Sequence, residues 1–443
     1  MINVIDVIPD EIWMEIILYL STKDMLSVLK VSNKFNNLIK SYKIPDISRS
    51  HHIRYFECKN INKILPMYLD KYNFKKYHFV PSLLSDESLK LLTNIHTLEL
   101  HSSREITDNS LKMLTNLRCL IIKNCREITD NSLKMLTNLR GLDLSYCYGI
   151  TDESIKCLTN LYSLYTFKCN NIKYESLKKL TNLQHLILLG SDSTQINDES
   201  LKPVTNLRIL KLSAFGQFTG STFMYLTNIR SLYLDIYANS YTIYNSLRYL
   251  TNIRTLSLSG PKLSDIPTEP LKISTTLHSL KLTYYGLRTN DFVKHLNMIY
   301  TLDISHCPGI TDDRLQCLTQ LKNMRIRMCD NITDNSIKYL TNIHTLYLIE
   351  NTKISDDSLK FLTKIRTLSI DRCPKITNNS IKHLTNIYSL YINIGPSITN
   401  PSIRCLKNLR YLNILGCPGI KTKLLKSLVQ KGVTIYRSKK LFV

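Results

Sequence analysis

The sequence has no run of about eighteen apolar residues, so no segment is suited to cross a bilayer as a helix, and no membrane partner is expected. Its apolar opening carries Asp6, Asp10, Glu11 and Glu15 and has no basic leader, which argues against secretion. The expectation is an intracellular protein, cytoplasmic or nuclear. GxSxG, a phosphate-binding loop and HExxH are all missing, and His96, His185, His344 and His383 fall at repeating positions rather than beside other reactive groups. A non-catalytic chain without cofactors follows. CxxC pairs are missing too, so the 12 cysteines are read as reduced packing residues before metal ligands or disulfides.

What the sequence has is repetition. At 443 residues it exceeds one compact core, and residues 106–118 and 128–140 read "ITDNSLKMLTNLR" letter for letter. With the Thr of "LTN" as marker, fifteen units run from Thr93 to Lys407; eleven of the fourteen steps are 22 residues and three are 24. Within a unit, Leu120-x-Ile122 alternates as a strand does, while Leu111 and Leu114 share one side of a helical turn. Asp108 is placed to cap that helix, and Asn116 closes it. So short a helix is unstable alone, and a stack of units must supply what one copy lacks.

The pattern Leu117-x-x-Leu120-x-Ile122-x-x-Cys125-x-x-Ile128-Thr129-Asp130 resembles the cysteine-containing leucine-rich repeat. It returns as Leu139, Leu142, Leu144, Cys147, Ile150 and as Ile299, Leu302, Ile304, Cys307, Ile310, and the array covers residues 81–436. The resemblance implies an α/β solenoid, a curved horseshoe with a parallel sheet on its concave side. Cys125, Cys147, Cys169, Cys307, Cys329, Cys373 and Cys417 share one repeat position, with Ser103, Ser191, Asn351 or Gly395 there in other units. A buried structural ladder is expected, each thiol turned toward backbone carbonyls.

Residues 1–42 lie outside the repeat and give three short amphipathic helices, with Pro9 at a first helical position and Ser21-x-x-Asp24 as a capping box. Ile8-Pro9-Asp10-Glu11, then Asp24, then Val31-Ser32-Asn33-Lys34-Phe35 is similar to the F-box pattern. Ile, Ser and Phe stand where that pattern has Leu, Cys and Trp. The resemblance implies docking on the Skp-type adaptor of a cullin ubiquitin ligase, through Ile8, Pro9, Glu11, Ile12, Ile16, Leu20, Val31 and Phe35. It also implies that the repeats hold the protein to be ubiquitylated. The alternative is a helical cap on a protein-binding scaffold with no ligase link. Residues 43–80 read as a linker, cap or degenerate repeat whose strand is Tyr77-His78-Phe79-Val80, and 437–443 as a tail.

Two clusters on the concave side are the candidate target-binding surface. Tyr165, Phe167, Ile187 and Leu189 form an apolar patch on adjacent repeats, and Arg325, Arg327 and Lys281, with Tyr347 beside them, form a basic spot suited to carboxylate or phosphate. Longer units at 190–200, 235–246 and 260–274 must expel loops. The formal net charge is +23, and because residues 1–42 hold four Lys against five Asp/Glu, the excess belongs to the repeats. Nucleic-acid binding driven by that charge ranks behind protein binding. Enrichment in Ile, Lys, Asn and Tyr fits an AT-rich genome, such as that of a large DNA virus.

Overall fold

The computed structural model describes residues 85–190, 196–213, 218–235, 241–263, 276–285, 296 and 298–437, with strands at Tyr55–Phe56, Lys76–Phe79 and Lys440–Phe442. The adaptor-docking residues Ile8 to Phe35 lie outside the described residues. So do the expelled parts of the three longer units, at 191–195, 236–240 and 264–275. The described chain forms two compact units, one through Leu207 and one comprising Arg208–Ser213 and the residues from Phe218 onward.

In the first unit seven strands follow one another in parallel: β1 (Tyr55–Phe56), β2 (Lys76–Phe79), β3 (Thr97–His101), β4 (Cys119–Lys123), β5 (Gly141–Ser145), β6 (Ser163–Phe167) and β7 (His185–Leu189). The second unit has β8 (Ile209–Ser213), β9 (Ser231–Asp235), β10 (Thr255–Leu263), β11 (Ser279–Tyr285), β12 (Thr301–Ser305) and β13 (Asn323–Arg327). It continues with β14 (Thr345–Ile349), β15 (Thr367–Asp371), β16 (Ser389–Asn393), β17 (Tyr411–Leu415) and β18 (Thr434–Arg437), all parallel. Lys440–Phe442, within the stretch read as a tail, is β19 and turns back antiparallel on β18.

Each strand is five residues in the regular units, and its second and fourth side chains are buried, as Leu98 and Leu100 in β3 or Leu120 and Ile122 in β4. Burying each such leucine or isoleucine stabilises the stack by roughly 1.5–3 kcal/mol before entropy is charged against it. The helices are shorter than the sequence predicts: Asp108–Leu111 and Asp130–Leu133 are single turns. The cap also differs from the sequence expectation. Thr107, not Asp108, is the N-cap, its hydroxyl accepting from Asn109 N–H at 3.1 Å. Asp108 is thereby released to reach the next repeat, where Thr129 N–H donates to its carboxylate at 2.9 Å and the Thr129 and Ser132 hydroxyls donate as well.

The same link recurs from Asp86 to Thr107, from Asp312 to Thr333, from Asp334 to Ser355 and from Asp356 to Thr377. In Asp356, burial works against ionisation, but the bonds donated by Ser380 and Thr377 outweigh it and hold the carboxyl below the usual carboxylate range. The Asn of "LTN" ties repeats in the other direction: Asn116 Nδ2 donates to Thr93 O at 3.0 Å and Asn138 Nδ2 to Thr115 O at 2.9 Å. Both halves of the duplicated thirteen-residue stretch are thus inter-repeat connectors.

At the strand exits the chain adopts a left-handed residue, such as Asn124 (φ 55), Tyr146 (φ 55) or Arg372 (φ 50). Its N–H donates to the last carbonyl of the following strand, as Asn124 to Ser145 at 2.7 Å. The next residue is the ladder cysteine. All seven are buried free thiols, each donating to a carbonyl: Cys307 to Ser305 O at 3.2 Å and Leu282 O at 3.5 Å, for example. Burial pushes the Cys125, Cys373 and Cys417 thiols up, which suits packing rather than nucleophilic chemistry.

Candidate target-binding surface

The first, third and fifth residues of each regular strand point away from the core, and neighbouring repeats set them in rows. In the first unit the apolar candidates come together as expected from the sequence. Tyr165 registers with Ile187 and Phe167 with Leu189, and all four are half-buried. Phe167 is held from the side: its ring meets Tyr146 edge-on at 5.2 Å, and Lys168 Nζ lies 5.3 Å from the Tyr146 centroid and 5.5 Å from that of Phe167. Between Tyr165 and Phe167, the inward residue is Thr166 instead of an aliphatic. Its hydroxyl is 2.7 Å from that of Tyr174, and both side chains are fully buried. That polar pair beneath the patch was not anticipated from the sequence, because Tyr174 stands before a short helix where most units carry a Thr, Ser or Asn cap.

One repeat earlier the surface turns charged. Asp143 registers beside Tyr165, and burial pushes its carboxyl up, opposed by Lys123. Glu99 bonds His101 and lies 3.9 Å from Lys123 Nζ. The first unit therefore presents an apolar patch flanked by a border of mixed charge.

In the second unit Lys281, Asp303, Arg325 and Tyr347 stand in a single row across β11–β14. Lys281 Nζ pairs with Asp303 at 3.5 Å, so it is partly neutralised, a feature the sequence-based basic spot left out. Arg325 lies over Tyr347 with its guanidinium carbon 5.8 Å from the ring centroid, and Arg325 and Arg327 are both exposed. The two arginines, with Tyr347 as a platform, are the part of the spot able to take an incoming carboxylate. Further along, Arg372 is committed to Glu350 at 2.6 Å.

A third surface escaped sequence reasoning. Tyr391 and Tyr436 flank Asn413 in one row of β16–β18, with exposures of 39% and 41%; Tyr388 and Tyr411 meet at 5.5 Å beside them. Tyr391 was visible in the repeat frame, but Tyr436 lies in β18, past the last "LTN" marker, so the pairing could not be counted out from the repeats. The four aromatics form one contiguous exposed group, of the composition that interfaces favour.

The repeats are similar in fold to solved leucine-rich-repeat structures. An internalin of Listeria monocytogenes matches at 22% identity and TM-score 0.53, over 74% of this chain and 94% of that one. A leucine-rich-repeat protein of Leptospira interrogans matches at 20% identity and TM-score 0.55, over 85% of this chain and 98% of that one. The chain is thus a leucine-rich-repeat solenoid in fold. No curated protein matches it in sequence. Residues 5–46 match the F-box domain, so the array carries an F-box at its amino-terminal side, in the segment where the helical motif was read. An F-box points to an adaptor role in ubiquitin ligase complexes. Among the described residues no helix is long and apolar enough to cross a membrane.

Proposed function

We propose that this chain is the substrate-recognition subunit of a Skp-adaptor, cullin-type ubiquitin ligase. The F-box recruits the adaptor through Ile8, Pro9, Glu11, Ile12, Ile16, Leu20, Val31 and Phe35, and the repeats hold a target protein for ubiquitin transfer. The observation that carries the reading is the joining of an F-box at 5–46 to repeats that are bonded each to the next within a unit and carry partner-like outward surfaces. On those surfaces the role of Tyr165, Phe167, Ile187 and Leu189 is to lose water against an apolar face of the target. Arg325 and Arg327 fix orientation by charge-assisted bonds, with Tyr347 holding Arg325 extended and Lys281 held back by Asp303. No covalent chemistry is asked of this chain; its contribution is proximity.

The test is affinity capture from cells with the proteasome blocked, comparing the intact chain with Pro9→Ala/Ile16→Asp and with Tyr165→Ala/Ile187→Asp. The reading expects the first variant to lose adaptor and keep target, and the second to do the reverse. If both variants retain both partners, the reading fails.

A further inference from the structure

The residue immediately preceding each strand defines another row, outside the strand frame. Before β8–β10 it is Arg208, Arg230 and Arg254; before β15–β17 it is Arg366, Tyr388 and Arg410. Backbone bonds run from each to the next: Arg230 N–H donates to Arg208 O, Arg254 to Arg230 O and Arg410 to Tyr388 O, each at 2.8 Å. The side chains are therefore carried on one ladder at about 4.8 Å per repeat. The middle of the row continues the pattern, with Tyr300 between His278 and Lys322; Lys322 Nζ lies 5.3 Å from the Tyr300 centroid, and the His278 ring lies at 5.5 Å from Tyr300.

No position of this row from β8 to β17 is acidic, and among the described residues none of its five arginines makes an ion pair. All five are exposed. The neighbouring row, the first residue of each strand, is neutral and mostly hydroxylic, as Ser231, Thr255, Ser279, Thr301 and Thr345. The carboxylates of this face, Asp303, Asp235 and Asp371, begin only in the rows beyond.

We infer that this strand-entry edge binds the sugar-phosphate backbone of a single-stranded nucleic acid. Arginine with serine and threonine donors is the group set that contacts phosphate. Tyrosines set between cations supply stacking platforms for bases. The row covers about 43 Å, nine strand spacings, which suits a polymer with regularly repeated charge. An acidic protein surface fits less well, because protein interfaces centre on apolar anchors and lose charge at their core, whereas this edge is charged, polar and open. The inference is independent of the ligase reading and stands on the second unit alone.

The experiment is fluorescence anisotropy of the full chain with a labelled oligouridylate long enough to span the row, titrated at several salt concentrations. Arg208→Ala/Arg230→Ala/Arg254→Ala should weaken binding at least about tenfold and flatten the log affinity against log salt slope by about 2, the sum for three lost phosphate contacts. Arg366→Ala/Arg410→Ala should act in the same direction. The charge-matched control Lys112→Ala/Lys134→Ala/Lys382→Ala, on the helical side, should change neither. Equal losses in edge and control variants would mean attraction by net charge alone and would overturn the inference. So would the absence of binding near 0.15 M salt, competition by polyglutamate as strong as by unlabelled oligouridylate, or preference for duplex.

Discussion

Asp108 and Thr129 belong to different repeats, yet Thr129 N–H donates to the Asp108 carboxylate at 2.9 Å and the Thr129 hydroxyl donates to its other oxygen. Thr129 in turn caps its own helix, accepting from Asn131 N–H at 3.2 Å. One hydroxyl thus serves two repeats, and the helices, each too short to hold itself, are made stable by the neighbour.

Replacing Asp356 discriminates between a charge role and a hydrogen-bond role. Asp356→Ala should cost about 1–3 kcal/mol by orphaning the Thr377 and Ser380 donors. Asp356→Asn should cost much less, since Asn378 already fills this position and accepts from Thr399 N–H at 2.9 Å. Because the folded-state carboxyl titrates below its ordinary value, its contribution is present above pH 3.8 and is lost as pH falls through the folded value. Urea unfolding at neutral and at acid pH measures both.

Asn351 replaces a ladder cysteine and is almost wholly buried. Its amide donates to Ile326 O at 2.9 Å and Ile349 O at 3.1 Å. Asn351→Leu removes both bonds and the acceptor of Cys329 N–H, leaves Ile349 O only the bond from Met328 N–H, and overfills the turn, so a loss of about 2–4 kcal/mol is expected. Asn351→Cys, which restores the ladder chemistry, should lose less than half of that in the same unfolding assay.

Gly416 sits at φ 65 with Ile394 Cα 3.3 Å from where a Cβ would lie. Gly416→Ala should destabilise by about 1–2 kcal/mol. Ile394 occupies the equivalent position one repeat earlier at φ 54, a strained place for a β-branched residue, and is 47% exposed. Ile394→Gly should therefore raise the melting temperature, read by calorimetry, and an unchanged or lower value would show that its packing outweighs the strain.

Asp143 is the reverse of Asp356. Burial raises its carboxyl above the ordinary 3.8, so the folded state favours the protonated form and stability falls as pH rises above that value. Asp143→Asn should stabilise the chain at neutral pH and make no difference in strong acid. Melting curves across that range check the sign.

The period, the inward Leu and Ile positions and the register of Tyr165 with Ile187 were legible because apolar spacing reports which side of a strand is buried. The sequence alone points to Asp108 as the cap because Thr107 and Asp108 are adjacent, and only stacking reveals that Thr107 serves its own helix and Asp108 the next. The partial neutralisation of Lys281 was hidden for the same reason: Asp303 is 22 residues away but one strand over. The arginine row lay in plain view, three residues after each marker Thr. The apolar pattern does not mark it, because it falls just before the strand which that pattern defines.

Whether the F-box docks on an adaptor is decided by binding of the full chain to a purified Skp-type adaptor. The expected result is a complex that co-elutes on size exclusion and is lost in Pro9→Ala/Ile16→Asp, while the variant keeps the circular dichroism and melting of the intact repeats. An intact chain that elutes apart from the adaptor, or a variant that binds it equally well, would rule out adaptor docking through this segment.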